Sequence, residues 1–266
     1  MTRLTEQLLA LRPAFVITLG DMDTSWDAFS DEIVEGNMRQ MFHRLVEAGI
    51  EIYPCMGNHD SDPKKNEFFC THDPPINPEF DPGLNSTTHH RWCDNHEYWY
   101  SWNRGGIHFV VFQTSSVRDK QKMLDWLEDD LCRHVHNPDR LPALVFIHYA
   151  RWMICEHACN GPLYELLSRC SQNTVAAVFG GDSHRYRNYP PESNLGIQVY
   201  ETTAATHWEI PYPEYIIATV HPDQITFEVV DTRTGGQSNT AAVYYPIEGK
   251  FGGLSESAEG AAARRE

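Results

Sequence analysis

No run of apolar residues in this 266-residue chain approaches the roughly 18–20 needed to cross a bilayer as a helix. Basic residues are also scarce: 21 Lys and Arg stand against 37 Asp and Glu, for a net charge of -16. Tracking a nucleic-acid backbone takes clustered cations, so nucleic-acid binding, and a nuclease with it, is disfavoured. The opening stretch "MTRLTEQLLALRPAF" lacks an apolar core, because Glu6, Gln7 and Arg12 interrupt it, and it does not read as a signal peptide. The seven cysteines lack a zinc-finger pattern; Cys155 and Cys159 stand four apart around His157 with no second pair. Cys70 with Cys93, or Cys155 with Cys159, are disulfide candidates in an oxidising compartment, and Asn85-Ser86-Thr87 is a glycosylation acceptor. The compartment stays open on these signals.

What is present is a globular composition with 41% hydrophobic and 12% aromatic residues, enough for a sizeable core. The first third alternates helix and strand: an amphipathic helix carrying Leu4, Leu8 and Leu11, the strand "AFVITLG", the helix "NMRQMFHRLVEAG", and the strand "IEIYPCMG". Residues 61–99 are rich in proline and polar residues and read as an irregular insertion of the kind that borders sites. A hairpin turning at Asn103-Arg104-Gly105-Gly106 is expected next, then one helix over "QKMLDWLEDDLCRHV" with Met123, Leu124, Leu127 and Leu131 on one face. The second half brings the strand "ALVFIHY", the helix "GPLYELLSRC", the strand "VAAVFGG" and a β-rich end. Residues 1–248 read as one α/β domain and 249–266 as a disordered tail.

Four apolar strands end in residues that bind protons or metals. "FVITLGD" ends at Gly20-Asp21, "IEIYPCMGNHD" at Gly57-Asn58-His59-Asp60, "ALVFIHY" at His148, and "VAAVFGGDSH" at Gly181-Asp182-Ser183-His184. One such ending would be a turn; four place Asp, Asn and His together at the carboxyl ends of parallel strands, where α/β proteins bind ligands. Carboxylate, amide and imidazole donors without thiolate suit Mn, Fe or Zn, and a pair of such ions suits hydrolysis at phosphorus.

As an ordered set these motifs resemble four of the five motifs of the calcineurin-like metallophosphoesterases. "GIHFVVFQTSS", "QKMLDWLEDDL" and "SHRYRN" are similar to segments of the purple acid phosphatase-like branch. The resemblance implies a two-sheet αββα sandwich and a dinuclear site of divalent or trivalent metal ions. It further implies hydrolysis of a small phosphorylated substrate by an activated water. Asp21 corresponds to the carboxylate that bridges the metals, Asn58 and His148 to ligands of the second metal, and His184 to a ligand of the first. His59 corresponds to the histidine that contacts the phosphate and assists the leaving oxygen, and Asp60 to the neighbour that orients it. Arg151 and Trp152 beside His148 are substrate-contact candidates. Asp23, Asp27, His207, His89, His90 and His96 read more simply as loop or strand-end residues.

The chain departs from the family pattern twice. Asp182 stands where the last motif has its first histidine; a carboxylate still suits a hard metal but makes a bound water less acidic. The Asp-x-His strand that opens the family pattern has no counterpart after Met1, and the expectation is a reading frame that has lost its start. The alternative function is a catalytically impaired relative acting as a metal-binding or interaction domain.

Overall fold

The structure is a computed structural model that describes residues 2–21, 40–57, 99–113, 120–150, 162–170, 174–184, 186–189, 197–203, 213–222 and 224–244. Two short helices, α1 (Thr2–Leu11) and α2 (40–47), accompany the parallel pair β1 (Phe15–Leu19) and β2 (Glu51–Cys55). The hairpin β3 (Trp99–Arg104) and β4 (Ile107–Phe112) turns on Gly105 and Gly106. Both glycines have positive φ, 60° and 80°, the left-handed conformation a tight hairpin needs. Helix α3 (Lys120–Leu127) leads to β5 (Ala143–Ile147), and α4 (Pro162–Cys170) to β6 (Val175–Gly180). Strands β7 (Arg187–Tyr189) and β8 (Gln198–Glu201) complete a six-stranded sheet in the order β3-β4-β5-β6-β8-β7. Strands β9 (Glu214–Val220), β10 (Gln224–Asp231) and β11 (Gln237–Tyr244) form an antiparallel sheet of three.

Side-chain alternation sorts these pieces into four layers. On β1 and β2, Ile17, Leu19, Tyr53 and Cys55 face a central core shared with Trp102, Phe109, Phe146 and Phe179 of the six-stranded sheet. Val16 and Ile52, of opposite parity, face Leu4, Leu8, Phe42 and Leu45 of the first two helices. Tyr215 and Ile216 divide between the same two cores, so β9–β11 lie in one layer with β1–β2. The far face of the six-stranded sheet presents Val110, Phe112, Val145 and Ile147 to Met123, Leu127 and Leu166 of α3 and α4. The order is helix, sheet, sheet, helix: the αββα sandwich expected above.

Aromatic rings bind the two sheets together. Tyr53 stacks on Trp102 at 4.2 Å, and Trp102 on Phe109 at 4.9 Å, while Phe15 meets Tyr53 edge-on at 5.4 Å. At the other end, Phe227 of β10 closes on Phe179 and Tyr200 at 5.1 and 5.3 Å. Each such pair contributes about 0.5–1.5 kcal/mol beyond its buried area, which makes this seam a strong determinant of how the layers dock.

One expected element differs. The helix expected to run through Val135 leaves α geometry at Leu127, and Glu128–Cys132 continues as a π-helix, with the Arg133 N–H donating to the Glu128 carbonyl at 3.0 Å. Within that turn the carboxylate of Asp130, fully buried, receives Ser101 Oγ at 3.0 Å and faces His108 Nε2 at 2.9 Å. The widened turn coincides with this polar anchor between the helix and the β3–β4 hairpin.

Candidate functional site

The ligand-type residues come from strand ends on both sides of the sandwich. Asp21 follows β1 in one sheet; His148 and Asp182 follow β5 and β6 in the other. They converge because the sheets pack face to face with these ends at the same edge. His148 Nε2 lies 3.2 Å from Asp21 Oδ2 and 3.8 Å from Asp182 Oδ1. The imidazole is buried, Asp21 nearly so, and Asp182 is 25% exposed, so the arrangement opens toward solvent on the Asp182 side.

The backbone holds this geometry. His148 Nδ1 donates to the Leu19 carbonyl at 2.6 Å, joining the end of β5 to the end of β1. The His148 carbonyl accepts the N–H groups of Gly181 and Asp182 at 3.0 and 3.2 Å, joining β5 to β6. Gln113, fully buried at the end of β4, donates from Nε2 to the Gly57 carbonyl at 3.2 Å and so fixes the last described residue after β2. Sequence reasoning passed over Gln113; its one signal is an amide closing the otherwise apolar run "IHFVVFQ".

Glycines let the strand ends touch. A Cβ on Gly57 would collide with the Asp21 side chain and backbone. A Cβ on Gly20 would stand 2.5 Å from the Gly57 nitrogen and 2.6 Å from His148 Nδ1. Asp21 and His184 themselves adopt φ of 52°, a left-handed conformation uncommon outside glycine and enriched at functional sites.

The electrostatics ask for a cation. With Nδ1–H given to Leu19, a neutral imidazole has only a lone pair at Nε2, and that lone pair faces two acceptor-only carboxylates. Burial works to lower the His148 pKa, but the hydrogen bonds and charges of Asp21, Leu19 and Asp182 outweigh it, and the net shift is upward. Either a proton or a metal ion relieves the repulsion. A histidine whose second nitrogen is tied to a backbone carbonyl is also the usual form of a metal ligand. The donor set of two carboxylates and one imidazole therefore fits a hard or borderline metal ion. Among the described residues the side chains do not by themselves close into a group of three or more His, Cys, Asp or Glu arranged to hold a metal.

Tyr149 borders the same place. Its ring meets His148 edge-on at 5.0 Å, and burial together with the charges of Asp182 and Asp21 pushes its pKa up to about 12. His184 follows two residues after Asp182, its N–H donating to the Gly181 carbonyl at 3.3 Å. Asn58, His59, Asp60 and Arg151 lie outside the described residues, as do Asp23, Asp27, His89, His90, His96, Trp152 and His207.

An αββα sandwich with two carboxylates and an imidazole gathered where two sheets end is the arrangement of a metallophosphoesterase-type fold. The calcineurin-like phosphoesterase family matches residues 1–186, and the chain belongs to that family. A dimetal phosphatase from Danio rerio superposes with a TM-score of 0.62 at 11% identity, over 91% of this chain and 87% of that one. A purple acid phosphatase from yellow lupin (Lupinus luteus) seeds superposes with a TM-score of 0.59 at 14% identity, over 92% of this chain and 49% of that one. At these identities the superpositions speak for the fold. No curated protein sequence matches this chain.

Proposed function

We propose that this protein hydrolyses a phosphate ester of a small phosphorylated substrate, using a dinuclear site of divalent or trivalent Mn, Fe or Zn ions. The convergence of Asp21, His148 and Asp182 around one imidazole nitrogen supports this reading most directly. In it, Asp21, Asn58, His148, Asp182 and His184 hold metal, and His59, oriented by Asp60, contacts the phosphoryl group and protonates the leaving oxygen. Arg151 pairs with substrate phosphate. The metal ions, when bound, supply positive charge at phosphorus and a water acidic enough to attack it. The chain's own contribution is placement: Leu19 sets the tautomer of His148, and Gly20 and Gly57 leave room for close approach.

A second reading, an impaired relative kept for metal binding or interaction, draws on Asp182 in place of a histidine. Hydrolysis of an aryl phosphate monoester and diester by the metal-loaded chain, wild type beside His59→Ala, separates the two. The proposal expects a drop of about 100-fold or more in the variant, the scale of lost general acid catalysis. Equal rates would leave the impaired reading standing.

A further inference from the structure

Two cysteines outside the site, Cys132 and Cys170, form a disulfide, with Cα atoms 4.7 Å apart and a separation of 38 positions in sequence. Their positions matter. Cys132 is the last residue of the π-helix that follows α3, and Cys170 is the last residue of α4. The loop they close contains β5 and His148, and Cys170 lies five residues before β6, the strand that delivers Asp182. The bond thus ties the β5–α4–β6 crossover to the preceding helix, at the opposite end of the crossover from the ligand-type residues.

The surroundings are those of a structural bond. Cys170 is buried in the outer core with Leu166 and Leu167, beside Leu127 and Leu131, and Cys132 packs against the same cluster. Reactive cysteines sit exposed in electropositive settings, whereas here both neighbouring guanidinium groups are engaged. Arg169 pairs with Glu128 at 3.2 Å, and Arg133 with Asp129 at 2.8 Å. The Arg169–Glu128 pair spans the same α4–π-helix contact as the disulfide.

We propose that Cys132–Cys170 is a permanent structural crosslink of the outer helical layer, acquired in a thiol-oxidising compartment. Its formation removes two protons and two electrons from the two thiols and joins the sulfurs. A disulfide of a thiol–disulfide oxidoreductase accepts the electrons and leaves as a dithiol. Such bonds persist in secretory and periplasmic settings and are rare where glutathione keeps thiols reduced. The glycosylation acceptor Asn85-Ser86-Thr87 is consistent with the secretory setting. Crosslinking across 38 residues lowers the entropy of the unfolded chain, so the bond stabilises whether or not the chain is an enzyme.

The test uses the full chain made through a secretory route. Free thiols are alkylated in acid, the chain is digested without reductant, and disulfide-linked peptides are identified by mass. The expected result is one linked pair joining the Cys132 and Cys170 peptides, which separates on reduction. Alkylation of both residues, or linkage of either to Cys70, Cys93, Cys155 or Cys159, overturns the proposal. Thermal melting of Cys132→Ala/Cys170→Ala should fall about 5–15 °C below the oxidised wild type. If that variant does not fold, the reduced wild type replaces it and should show at least the same fall. A fall under about 2 °C would mean that the bond is no structural clamp. Neither measurement uses phosphatase activity, so the functional proposal and this one fail separately.

Discussion

His148 Nδ1 lies 2.6 Å from the carbonyl oxygen of Leu19, a contact between residues 129 apart in sequence and in different sheets of the sandwich. That one hydrogen bond fixes which nitrogen of the ring faces Asp21 and Asp182.

His148→Ala should therefore remove a proposed metal ligand and a tie between sheets together. Elemental analysis of the dialysed variant should show at least one metal ion per chain fewer than wild type. Phosphoesterase activity should fall about 100-fold or more, the upper end of what even outer-shell partners of a metal contribute. Unchanged metal content would remove His148 from the ligand set.

Gly57→Ala tests the close approach of two strand ends. The new methyl group collides with the Asp21 side chain, which must swing away from His148 or push β2 off β1. Stability should drop by about 1–3 kcal/mol in urea unfolding, and metal affinity should fall in the variant that remains folded. A variant with wild-type affinity would show that Asp21 needs no such precision.

Asp182→His restores the family's donor and removes one negative charge. A less anionic donor set makes a bound water more acidic, so the rate near neutral pH should rise several-fold and the acidic limb of the pH–rate profile should shift to lower pH. A lower rate at neutral pH would show that the carboxylate suits this protein's own metals better.

Asp231 offers a pH test away from the site. Its carboxylate accepts the Arg233 N–H at 2.7 Å and a guanidinium nitrogen at 2.6 Å, and the side-chain bond foremost holds its pKa down to about 2, against an ordinary 3.8. Because the folded value is the lower one, the stabilisation is fully present above the unfolded pKa and drains away as pH falls toward about 2. The melting-temperature gap between wild type and Asp231→Asn should be widest above about pH 5 and shrink steadily below 3.8. A gap independent of pH would assign the effect to the turn's shape instead of its charge.

The strands bearing Asp21, His148 and Asp182 were legible because each combines an apolar run, a sharp stop and a residue that chelates. Helix α4 and the Gly105-Gly106 hairpin were legible for the same local reasons, amphipathic spacing and turn chemistry. What stayed hidden is long-range. That Asp21 and His148 belong to different sheets depends on aromatic packing between Phe15, Tyr53, Trp102 and Phe109, which no periodicity reports. The pairing of Cys132 with Cys170 was missed because they are separated by a whole helix–strand crossover, whereas the expected pairs were closer neighbours in sequence. The π-helix was missed since the anchor it coincides with, Asp130 reaching His108 and Ser101, is a contact with strands some 20–30 residues earlier. Gln113 was missed because one amide after an apolar run reads as an ordinary strand end.

The meeting of Asp21 and His148 across the sandwich has a mechanical side. A ligand held between residues of one sheet would ride with that sheet, but one held here acts as a rivet through two plates. Sliding of one sheet over the other by an ångström would open the grip, so the aromatic seam that stops the slide sets the tolerance of the chemistry. Occupancy should then be readable at a distance, as slower exchange of amide hydrogens along β2 and β5 together, strands that share no backbone hydrogen bond.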